Sequence, residues 1–173
     1  MLASRPHFIP VPRPRSGSTV SKGLAYQKRW LRHCETLAGL AAGPFSHRLF
    51  TGIKRNDLEF RPEQWFIYAD SNGIGYAEAD LVIAIKPARI VLLFENKRTH
   101  KDRGLVQLGQ LYRPLLEFVY PGFAVFGLLV CRNLDPSVNR RYLVASLQDW
   151  FDLLEAGLIA GTEVPLYSLC WRP

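Results

Sequence analysis

The stretch from Ala79 to Lys97 constrains this chain more than any other. Ala79-Asp80-Leu81-Val82-Ile83-Ala84-Ile85 and Ile90-Val91-Leu92-Leu93-Phe94-Glu95-Asn96-Lys97 are joined by the polar link Lys86-Pro87-Ala88-Arg89. Two runs rich in Val, Ile and Leu around a proline-bearing link spell a β-hairpin with two buried strands. Three charges interrupt this apolar text: Asp80 near the start of the first run, and Glu95 and Lys97 at the end of the second. Folded back at 86–89, the hairpin puts Asp80 and Glu95 at the same end. Glu95 and Lys97 are two apart and project from one face.

Buried charges are costly unless they are paired or bound to a metal. Taken singly, each of these residues reads as a charge at an exposed strand end. Together they read as a metal site. Two carboxylates suit Mg²⁺ or Mn²⁺, hard cations that take oxygen ligands and keep waters for reaction. Such an ion lowers the pKa of a bound water and offsets charge on a phosphate in flight. The lysine can orient that water and neutralise a phosphoryl oxygen.

Asp80 followed one hairpin later by Glu95-Asn96-Lys97 resembles the PD-(D/E)xK nuclease superfamily, with Ala79 in place of the proline. The resemblance covers residues 22–131. It implies an α/β fold with a restriction-endonuclease-like α-β-β-β-α-β core, a mixed central sheet flanked by helices. It also implies a metal-dependent DNA endonuclease in which Asp80 and Glu95 bind the ion, helped by the backbone carbonyl of Asn96. Lys97 would position the attacking water. Lys22, Arg98, Lys101 and Arg103 would hold the DNA backbone. The opening helix, Lys22-Gly23-Leu24-Ala25-Tyr26-Gln27, resembles that of the junction resolvases and other phage-type nucleases, where a glutamate often reaches the site. Here Gln27 stands in its place and brings no negative charge. That helix start tilts the expectation toward branched or junction DNA, with flap, end and plain duplex left open, and a homodimer is the assembly a resolvase would need. Many members carry a Gln on the helix after the lysine. Gln107 and Gln110, with Tyr112, match this in part: Gln107 reads either as partner of a carboxylate or of the attacking water, or as a solvated helix flank. The rival reading of the whole chain is a nuclease-like DNA-binding or assembly module of a phage or mobile element.

The remaining text agrees with one domain. The chain has 173 residues, enough to bury a real core, and a net charge of +7 that suits a polyanionic partner. Its three scattered cysteines form no CxxC pair and indicate neither zinc nor a disulfide framework. No apolar run is long enough to span a bilayer and no signal peptide is visible, so the expectation is a soluble, cytoplasmic protein with no membrane partner.

Residues 1–21, rich in Pro and Arg, read as an extended or disordered basic arm, and 22–173 as the single domain. A helix is expected from 21 or 22 to about 40, with Glu35 as a fallback acid on another flank. Residues 44–63 read as connector with an extended piece around 48–50. Strands are expected at 65–70, 75–85 and 90–97, with Trp65, Phe66 and Tyr68 packing rather than stacking on bases. Leu105 to Val119 has helical spacing that Pro114 should kink or split. A buried strand at 123–131 follows, then a helix capped by Ser146 and ending at Gly157, then a strand at 166–171. Arg140 and Arg141 read as solvated loop residues.

Overall fold

The computed structural model describes residues 9–11, 22–38, 46–70, 72–100 and 102–173, with the backbone alone for 9–11, 22–24, 35–38 and 70. The hairpin forms its centre. Strand β3 (Gly73–Ile85) and strand β4 (Ile90–Thr99) pair antiparallel from Ile85–Ile90 to Leu81–Phe94. Every residue from Leu81 to Ile85 and from Ile90 to Asn96 is buried. A strand buried on both faces needs cover on both, and helices supply it.

Strand β1 (Ile9–Val11) and strand β2 (Leu58–Asp70) extend the sheet beyond β3. Beyond β4 the sheet turns parallel through β5 (Ala124–Asn133), β7 (Tyr167–Cys170) and β6 (Leu143–Val144). The order is β1-β2-β3-β4-β5-β7-β6, a mixed seven-stranded sheet. Helix α1 (Lys22–Ala38) and helix α4 (Leu147–Ala160) cover one face, where Trp30 and Trp150 both lie against Phe94. The other face is covered by α2 (Asp102–Gln107), a π-helical turn (Leu108–Tyr112) and α3 (Arg113–Val119). Leu108, Tyr112, Leu115 and Leu116 pack there on Val82, Ala84, Val91 and Leu93. This is an α/β protein with a mixed sheet flanked by helices. Among the described residues no helix is long and apolar enough to cross a membrane.

Pro114 splits its helix as its chemistry requires. A proline has no N–H for the preceding turn, and its ring crowds the carbonyl there. The π-helical turn ends two residues earlier, and Pro114 begins α3 in the first turn, where no donor is needed.

Four expectations are corrected. Residues 48–50 are not extended but one 3₁₀ turn, because Nδ1 of His47 accepts the Leu49 N–H at 3.1 Å. The connector ends early: β2 begins at Leu58, and its Pro62 is tolerated because β1 pairs only with residues 65–67. The short strand β6 carries no sequence signal at two residues. Helix α4 runs past Gly157 to Ala160 and stops at Gly161, whose φ of +63° is the left-handed cap. Gly157 serves packing instead: a Cβ there would overlap Cγ2 of Val164. The Ser146 cap forms, with its Oγ accepting the Asp149 N–H at 3.1 Å. Of the basic arm, Ile9–Val11 form β1, and its other residues lie outside those described.

Candidate metal centre

Side-chain alternation along β3 slips at one point. Ala77 and Ala79 face α2–α3, and so do Val82 and Ala84, although strict alternation would put the two pairs on opposite faces. The slip lies at Asp80. Across the β2–β3 ladder, the pairs Pro62–Leu81 and Gln64–Ala79 leave Glu63 opposite Asp80. Glu63 has φ +50°, the left-handed region that non-glycine residues seldom adopt. The strand pair therefore kinks where the first acid sits, as bulged strands often do beside functional sites.

On the other side, the β3–β4 ladder gives way at the same level. Its register continued by one residue would pair Asp80 with Glu95. Instead, Oδ2 of Asp80 accepts the backbone N–H of Asn96 at 2.6 Å. The carboxylate replaces a ladder acceptor and is held at the sheet by the neighbour of Glu95.

Glu95 is buried and Lys97 half-buried, and the Lys97 ammonium donates to Oε1 of Glu95. Oε2 of Glu95 is buried with no hydrogen-bond partner, and so are both side-chain polar atoms of Asn96. Buried polar atoms normally find partners, so this carboxylate oxygen has an acceptor position left for a water or a ligand. Glu78, two residues before Asp80, adds a third acid whose charge acts on both others.

The electrostatics follow from the mutual repulsion of these acids, with Lys97 opposing it. Burial, then the charge of Glu95, pushes the Asp80 carboxyl well above the usual carboxylate range, against the Asn96 N–H and Lys97. Burial also raises the Glu95 carboxyl, opposed by Lys97 and its hydrogen bond. Tyr112, on the π-helical turn, has its hydroxyl pKa raised by burial and then by Glu95, Asp80 and Glu78. Among the described residues, Lys97 is the cation whose charge lowers the pKa of both carboxyls.

The site thus brings Asp80, Glu95, Asn96 and Lys97 together, as the hairpin text implied. Gln107 is half-buried at the end of α2 and, among the described residues, hydrogen-bonds neither carboxylate. The side chain of that helical segment whose ionisation responds to the acids is Tyr112, which helical spacing alone assigns to the core stripe. Helix α2 nonetheless approaches closely: a Cβ on Gly104 would lie 2.7 Å from Leu129 and 3.5 Å from Cγ of Lys97. Gln27 lies on α1, which packs on the Phe94 face, and its Nε2 is buried without a partner. Arg98 and Arg103 are exposed. Lys101 and the side chains of Lys22 and Glu35 lie outside the described residues. Glu78 was missed, although an acid two positions before Asp80 on a strand is a readable signal.

Elsewhere, His47, Asp152 and Glu155 place potential ligand atoms within 4.8 Å of one another. Their hydrogen bonds explain the group without an ion. Since Nδ1 of His47 accepts the Leu49 N–H, the neutral ring carries its proton on Nε2, which donates to Asp152 at 3.0 Å. Glu155 is paired with Arg48.

No family model, no curated protein and no solved structure matches this chain.

Proposed function

We propose that this protein is a metal-dependent DNA endonuclease on a restriction-endonuclease-like core. One observation carries the reading: Asp80, Glu95 and Lys97 converge at the kinked end of the hairpin, with a buried, unpartnered oxygen on Glu95. The order of a helix, three antiparallel strands, a helical segment and a parallel strand agrees with such a core.

The donor set fits a hard divalent cation. Two carboxylates with raised proton affinity, and a third nearby, are relieved by positive charge of any kind. Asp80, Glu95 and the Asn96 carbonyl would hold Mg²⁺ or Mn²⁺. Bound there, the ion would supply Lewis-acid stabilisation of a phosphodiester and a more acidic water.

The chain's own residues do the rest. Lys97 keeps its ammonium at Glu95 and is partly open to solvent, so it can donate to a phosphoryl oxygen or orient a water. Asp80, tied to the Asn96 N–H, holds its carboxylate fixed against the acid opposite. Arg98 and Arg103 offer charge to the DNA backbone from exposed positions.

A second reading, a DNA-binding or assembly module that does not cut, is favoured by Gln27. That amide supplies no charge, and α1 packs on the face away from Val82 and Leu93. Cleavage of supercoiled plasmid, linear duplex, flap and four-way junction DNA in Mg²⁺, Mn²⁺ or EDTA separates the two. Metal-dependent cutting supports the nuclease, and a preference for junction or flap supports branched DNA and a dimer. DNA bound on every substrate with none cut supports the module.

A further inference from the structure

Behind the carboxylates, on the α1 side of the sheet, three arginines meet. Arg98 leaves β4 immediately after Lys97 and so points to the opposite face. Arg132 leaves β5 beside it: the pairs Lys97–Cys131 and Thr99–Asn133 flank the two arginines on adjacent parallel strands. Arg29 reaches the same place from α1. Together with Ala25 and Tyr26 they line a concavity of about 170 Å³.

Two guanidiniums side by side on neighbouring strands repel each other. A third from the covering helix makes the repulsion worse. Among the described residues, none of the three is paired with a carboxylate, whereas Arg48, Arg61 and Arg113 elsewhere each are. The Tyr26 hydroxyl is already spent, donating to the Trp171 carbonyl at 3.0 Å, and so fixes the wall of the concavity. All three arginines are exposed, and three planar donor forks from three elements around one open concavity suit the oxygens of a phosphate group.

The geometry points to a phosphate seat formed by Arg29, Arg98 and Arg132, which takes a phosphate group of a nucleic-acid strand on the face of the sheet opposite Glu95 and Lys97. The three guanidiniums alone call for an anion; that the phosphate belongs to DNA rests on the proposed function. Two sources share this chemistry, a bridging phosphodiester and a terminal phosphate monoester. The seat holds the strand and does not touch the bond that is cut.

The test is fluorescence anisotropy in EDTA, where no cutting occurs, using one labelled duplex with either a 5′-phosphate or a 5′-hydroxyl end. Wild type is compared with Arg29→Gln/Arg132→Gln, and a melting curve shows that the variant is folded. Arg132→Gln alone, which removes one charge and one fork, stands in if the double variant does not fold. The seat predicts a loss of affinity of about tenfold or more and a salt dependence shallower by about 1 in log K against log salt. A loss only for the phosphorylated end identifies the monoester; an equal loss for both identifies the diester. Unchanged affinity and salt slope in a folded variant overturn the seat. Cutting by that variant in Mg²⁺ is read separately, so failure of the seat and failure of the nuclease reading are told apart.

Discussion

Asp80 reaches across the hairpin and takes the backbone N–H of Asn96 at 2.6 Å, at the level where the β3–β4 ladder stops. A side chain that replaces a ladder carbonyl is fixed by the sheet itself. The acid is therefore oriented before any cation arrives, and the cost of holding it near Glu95 is borne by a sheet core buried on both faces.

That cost gives a pH dependence. Both carboxyls are raised in the folded protein, Asp80 by burial and then Glu95, Glu95 by burial. The native state thus binds more protons than the unfolded chain above about pH 4, the ordinary carboxylate value. Stability is full below that pH and falls as pH rises through the raised values. Thermal melts in EDTA should drop between about pH 4 and neutrality, with the slope reduced in Asp80→Asn. A wild-type melting temperature that is flat over this range would contradict the raised proton affinity of the two acids.

Divalent cations should reverse the drop. Mn²⁺ is expected to bind wild type by calorimetry and to raise its melting temperature more at pH 8 than at pH 5, since protons compete for the same oxygens. Asp80→Asn and Glu95→Gln should each weaken binding at least tenfold. Equal Mn²⁺ binding in wild type and both variants would place the ion elsewhere.

Gln27→Glu separates geometry from resemblance. Helix α1 packs on the Phe94 face and the Gln27 Nε2 is already buried without a partner. With no hydrogen-bond partner at the amide nitrogen's position, a carboxylate there should cost about 1–3 kcal/mol at neutral pH. Chemical denaturation measures it. A stability gain that requires Mn²⁺ would instead show that residue 27 reaches the ion.

Gly104→Ala tests how closely α2 must approach. Its Cβ would meet Leu129 at 2.7 Å and Cγ of Lys97 at 3.5 Å. Overpacking costs about 1–3 kcal/mol, and the better helix former returns about 1. We expect a net loss of about 1 kcal/mol on denaturation, set by the overlap with Leu129, while the approach to Lys97 is an ordinary contact that leaves the ammonium in place. Unaltered stability would mean that α2 or the Leu129 side chain shifts to make room.

Much of this was legible in the chain because its signals are local. The hairpin announces itself through two aliphatic runs, and Ser146 with Asp149 through capping. Pro114 breaks its helix wherever that helix lies. What was not legible depends on partners distant in sequence. The early start of β2 is set by pairing with β3, which overrides Pro62. The slip at Asp80 sits opposite the left-handed Glu63 across the ladder, and Tyr112, a core residue as its spacing implies, is near enough to the acids to feel them only because the helix is docked on the sheet. Gly157 looks like a helix stop and is a contact with Val164. The meeting of Arg29, Arg98 and Arg132 needs three elements placed by the sheet.

The most direct measurement is nicking of supercoiled plasmid by wild type and Lys97→Ala in Mg²⁺, with EDTA as control. Lys97 donates to Glu95 and, among the described residues, is the one cation whose hydrogen bond lies inside the acid cluster. We predict metal-dependent nicking by wild type, reduced at least 100-fold in Lys97→Ala, with DNA affinity within a few-fold of wild type. Nicking that persists in EDTA, or at an undiminished rate in Lys97→Ala, would contradict the assignment of this hairpin as the catalytic site.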